Sequence, residues 1–105
     1  MNRRVLPSDI FPDIKHHMLI IQNSYSVKSG VKLRIKAVLL YHEVRNYKAV
    51  SLQLGTAHSF VQTWNKRACK ELAVWDVTAS EKLKRDTLLK VFSDLPRASG
   101  PSRAM

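Results

Sequence analysis

The sequence predicts an all-α bundle of about five helices. Apolar residues recur at spacings of three and four along most of the chain, as a one-sided helix requires. Only three glycines occur in 105 residues, too few for a turn-rich β fold. Hydrophobic content of 45% is enough for one modest core and argues against wholesale disorder.

The elements follow in order. Residues 1–12 carry Pro7 and Pro12 and read as a loose arm. Asp13 is placed to cap a first helix running to about Asn23, with Ile14, Met18 and Ile21 as its apolar stripe. The polar stretch from Ser24 to Gly30 should end it. Leu33, Ala37, Leu40 and Val44 mark a second helix over 31–44, with Arg45 and Asn46 as connector. A short helix fits 47–54, with Val50 and Leu54 inward, and Gly55 stands where a positive φ would end it. A fourth helix starts near Ala57, carries Val61, Trp64 and Ala68 with Phe60 beside them, and runs past Leu72. The series Thr78-Ala-Ser-Glu81 has the form of a capping box and opens a last helix with Leu83, Leu88, Val91 and Phe92. The helical domain is therefore expected over 13–92, followed by a basic linker or tail over 93–105 that contains Pro96, Gly100 and Pro101.

Charge points to the partner. The formal net charge is +10, which favours polyanions through phosphate neutralisation and counterion release. The excess is concentrated. Nine basic residues fall between Lys28 and Lys70 (Lys28, Lys32, Arg34, Lys36, Arg45, Lys48, Lys66, Arg67 and Lys70) against one acid, Glu43. A basic rim for an acidic protein partner is the competing explanation. The single cysteine, Cys69, rules out an intrachain disulfide and fits a reducing compartment. No apolar run reaches membrane-span length, and Met1-Asn2-Arg3-Arg4 is not followed by a signal-peptide core, so cytoplasmic residence, in association with the nucleoid, is expected.

Residues 47–64, Y-K-A-V-S-L-Q-L-G-T-A-H-S-F-V-Q-T-W, give a short helix, a glycine-containing turn and a second helix. This is a helix-turn-helix layout in a homeodomain-like bundle, with the 31–44 helix as support. The same pattern also fits a tight helical hairpin inside a core. In the DNA-binding reading, His58, Ser59, Gln62 and Thr63 lie away from Val61 and Trp64 and face base edges, Gln62 suiting a bidentate contact with adenine. Asn65 and Lys66 follow one turn on, while Lys48, Lys66 and Arg67 suit phosphates. A homodimer on DNA is compatible with this layout.

The stretch 33–64 resembles the N-terminal helix-turn-helix of bacterial insertion-sequence transposases of the mariner superfamily, whose usual form is I-A-x-x-L-G-V-S-x-x-T-V-x-x-W. Val50, Leu54, Gly55, Val61 and Trp64 match in type and spacing. Downstream, Leu95-Pro96-Arg97-Ala98-Ser99-Gly100-Pro101 is similar to the D-x-P-R-S-G-x-P linker of that family, one residue shorter. The resemblance implies a DNA-binding piece that recognises transposon ends, with Arg97 in a basic arm reaching an adjacent groove or backbone. The acidic, metal-binding RNase H-like domain of the family is expected outside this chain. Two departures bear on the geometry: Ala57 stands where the family has a Ser cap, and Ser51 brings a hydroxyl, which needs a partner, into the helix crossing.

No catalytic residue, cofactor or metal is expected. His16 and His17 point to different helix faces, and His42 and His58 lack chelating spacing. Cys69 reads as a structural thiol, and Trp64 and Trp75 read as core anchors. Two other readings stay open: a stand-alone helix-turn-helix transcriptional regulator, and a basic protein-interaction module.

Overall fold

The computed structural model describes residues 5–93. They form five helices: α1 (Phe11–Gln22), α2 (Ser29–Val44), α3 (Tyr47–Leu54), α4 (His58–Glu71) and α5 (Glu81–Ser93). The fold is an all-α bundle. The linker expected over 93–105, with Arg97, lies outside the described residues apart from Ser93, the last described residue of α5.

Helix α2 is the hub and packs against each of the other four. That role explains its burial pattern. Val31, Ile35, Ala37, Val38, Tyr41 and His42 are buried, so two adjoining faces are covered. Of the expected stripe, Ala37 is buried, Leu33 and Leu40 are half-buried, and Val44 is exposed. A helix apolar on several sides does not reveal its phase through a single 3–4 repeat. Gly30, expected to precede this helix, sits in its first turn, where N–H groups have no intrahelical partner to lose.

The interior divides in two. A large cluster joins α1, α2, α4 and α5 through Ile14, Met18, Ile35, Trp64, Leu88 and Phe92, among others. A small one, made of Ala37, Tyr41, Val50 and Val61, holds α3 against α2 and α4. Phe60 packs against both.

The ends of the helices depart from expectation in instructive ways. Asp13 caps nothing; Pro12 opens the first turn of α1, where its missing N–H is harmless. Asp13 instead accepts a hydrogen bond from Trp75 Nε1 at 2.8 Å and pairs with Lys84 Nζ at 2.8 Å. The Lys84 bond, then the Trp75 bond, hold its carboxyl below the usual carboxylate range. Lys84 also donates to the Val77 carbonyl at 2.6 Å, so this buried ammonium is satisfied. That pairing sets the register of α5: Lys84 turns inward and Leu83, an expected core residue, is left 56% exposed. Ser80, rather than Thr78, caps α5, its Oγ accepting from Leu83 N at 3.2 Å. Thr78 is taken by Asp76, which accepts from both its N–H and its hydroxyl.

The arm expected to be loose through residue 12 is docked where it is described. Leu6 is buried in the large cluster, and its N–H donates to His42 Nε2 at 2.8 Å. His42 Nδ1 lies 2.9 Å from the Val38 carbonyl, so the ring is neutral with its proton on Nδ1. Burial, foremost, pushes His42 below the ordinary imidazole value.

Candidate nucleic-acid interface

The approach to α4 is built by two left-handed residues. Arg45 ends α2 at φ 58°, and Asn46 then caps α3 by accepting from Ala49 N at 2.9 Å. Gly55 ends α3 at φ 71°, its N–H bonded to the Ser51 carbonyl. A Cβ at Gly55 would meet nothing within 4 Å, so the glycine is required by backbone conformation rather than by space. The Ser51 hydroxyl finds its partner within α3, donating to the Lys48 carbonyl at 2.8 Å. Residues 55–57 thus turn the chain, and α4 starts at His58 without a side-chain cap, as Ala57 implies.

Helix α4 is sharply two-faced. Val61, Trp64, Asn65 and Ala68 are buried, and Leu72 continues their stripe. On the outer side His58, Ser59, Thr63 and Lys66 are exposed, and Gln62 is half-buried at the edge. Lys48, on α3, is also exposed. These six side chains are the expected candidates that remain available at the surface.

Two candidates are withdrawn. Asn65 is fully buried; it lies four residues after Val61 and so belongs to the inner stripe. Its Nδ2 donates to the Tyr47 hydroxyl at 3.4 Å. Arg67 is half-buried and turned toward α5, its Nε donating to the Val91 carbonyl at 2.7 Å. Arg34 does the same from α2, reaching the Phe92 and Ser93 carbonyls at 2.7 and 2.8 Å. Those carbonyls lie in the last described turn of α5. Both guanidinium groups lie against the Trp64 ring, with Cζ at 4.7 Å for Arg34 and 6.0 Å for Arg67. The ninth candidate, Arg97, lies outside the described residues.

Tyr47 is the residue that sequence reasoning missed. Its ring stacks on Tyr41 of α2 at 4.4 Å and meets the edge of His58 at 5.6 Å, while its hydroxyl faces Asn65. One side chain at the start of α3 therefore joins α2, α3 and both the first and third turns of α4. Its spacing, three residues before Val50 and seven before Leu54, puts it on their stripe and was the available signal.

Among the described residues, no group of three or more His, Cys, Asp or Glu side chains comes together as a metal site. No helix among them is long and apolar enough to cross a membrane. The chain matches no protein-family model, no curated protein and no solved structure.

Proposed function

We propose that this chain binds double-stranded DNA, with α4 lying in the major groove and α3 bracing it from behind. The observation that carries the reading is the polar stripe of exposed His58, Ser59, Thr63 and Lys66 with half-buried Gln62 at its edge, which follows the positive-φ turn at Gly55 and is backed by a buried stripe. A recognition helix needs this arrangement, rigid behind and hydrogen-bonding in front. Gln62 reads a base edge, with Ser59, Thr63 and His58 beside it. Lys66 and Lys48 bind phosphate and position the helix. The net charge of +10 supplies the sequence-independent part of the affinity.

The resemblance of residues 33–64 and 95–101 to the transposase region makes the inverted ends of a mobile element the favoured target. In this reading the chain is a binding module with no catalytic role, resident on the nucleoid in the cytoplasm. A stand-alone regulator is the alternative, favoured by a palindromic site.

Selection of bound sequences from a random duplex library tests the proposal. The expected result is one enriched motif. Gln62→Ala should relax a single position of it by about 1–3 kcal/mol, the value of a bidentate base contact. A pool that stays unenriched, or that never shifts in a gel, would leave an interaction module for acidic proteins as the better account.

A further inference from the structure

Helices α1 and α2 run antiparallel. Gln22 Nε2 at the end of α1 donates to the Lys32 carbonyl near the start of α2, and Phe11 at the start of α1 stacks on His42 near the end of α2, at 4.5 Å. Between them lies an open groove of about 300 Å³, lined by Leu19, Leu39 and Leu40. Lys15 and Glu43 line one end of it; Gln22 and Lys36 line the other. Within the groove Leu19 is 45% exposed. Lys15, Lys36 and Glu43 form no ion pair with another described residue. Helix α1 packs on α2 and α5 and makes no close backbone approach to α3 or α4.

We infer that this groove is a homodimer interface, occupied by the same groove of a second copy across a two-fold axis. An axis lying across the helices sets α2 antiparallel to the partner copy's α2. The acidic end at Glu43 then meets the end at Lys36 of the other copy, and the pairing occurs twice, as an isologous contact requires. Lys36, Leu39, Leu40 and Glu43 are spaced i, i+3, i+4 and i+7, so one stripe carries cation, apolar centre and anion in the order that self-pairing needs. Lys15 meets Gln22 of the other copy, which keeps the second helix pair free of like charges. Leu19, exposed, and the half-buried Leu39 and Leu40 close the middle and exclude water. The inference stands on this surface alone and does not depend on DNA binding.

Sedimentation equilibrium of the full chain without DNA tests it. The wild type should self-associate as a dimer. Leu19→Glu should leave a monomer at concentrations where the wild type is dimeric, with unchanged helicity by circular dichroism, because the side chain is half exposed. Glu43→Lys alone and Lys36→Glu alone should each weaken the dimer, by roughly tenfold for two symmetry-related pairs reversed. The double variant K36E/E43K should restore it. A monomeric wild type would overturn the inference. A dimer indifferent to Leu19→Glu, or a double variant no better than its singles, would also overturn this interface.

Discussion

Lys66 and Arg67 are neighbours in the chain and have opposite employment. Lys66 projects from the outer face of α4, whereas Arg67 folds over Trp64 and bonds the last turn of α5. The difference teaches how a basic helix divides its charge. Position relative to the Val61–Trp64–Ala68 stripe decides which cation is available to a partner, and guanidinium chemistry decides what the other one does. A planar, weakly hydrated fork lies flat on an aromatic ring while its edge donates to carbonyls, an arrangement that suits guanidinium better than ammonium. The two faces of α4 are consequently separable: one should govern stability and the other binding.

The largest break in that comparison is Trp64→Ala. It empties the centre of the inner face and should cost about 3–5 kcal/mol, enough to unfold a domain of this size; thermal melts followed by circular dichroism measure it. Arg67→Ala should cost about 1–3 kcal/mol, because the Val91 carbonyl loses its partner in a part-buried site. Gly55→Ala puts a Cβ on a left-handed residue and should cost about 1–2 kcal/mol, readable as a lower denaturation midpoint with an unchanged m-value. Lys66→Ala should leave stability within about 0.5 kcal/mol of the wild type, as exposed positions do.

A pH series sharpens the comparison away from α4. His42 is neutral in the fold and accepts the Leu6 N–H, so its folded pKa lies below its unfolded one, near 6.5. The unfolded chain then binds the extra proton first. Stability contributed by this site is complete above about 6.5 and falls as pH drops through the folded value. Melting temperature should decline over that window, and His42→Gln should flatten the decline. Asp13, held low by Lys84 and Trp75, adds its own loss at more acid pH, below the ordinary carboxylate range.

The number and order of helices were legible in the sequence because stripes at 14/18/21, 50/54 and 61/64/68 carry a strong period. The turn at Gly55 was legible for the same reason that glycine is needed there. What the sequence hid was long-range. Nothing local says that Asp13 meets Lys84 and Trp75, 71 and 62 residues further along the chain, so the inward register of Lys84 over Leu83 was not readable. Asn65 was misplaced because a polar residue was read as outward, although its spacing from Val61 is that of the core. Arg67 was misplaced because its acceptor, the Val91 carbonyl, is a backbone group that only the fold brings near. The outer face of α4 was readable because four polar residues and a lysine follow one another at helical spacing away from the Val61–Trp64–Ala68 stripe.

The most direct test is the salt dependence of duplex DNA affinity for the wild type, Lys66→Ala and Arg67→Ala, measured side by side under conditions where all three are folded. The account predicts a steep fall in affinity with salt for the wild type, a slope smaller by about one for Lys66→Ala, and a wild-type slope for Arg67→Ala. A flat wild-type curve, or a slope reduced by Arg67→Ala and not by Lys66→Ala, would contradict it.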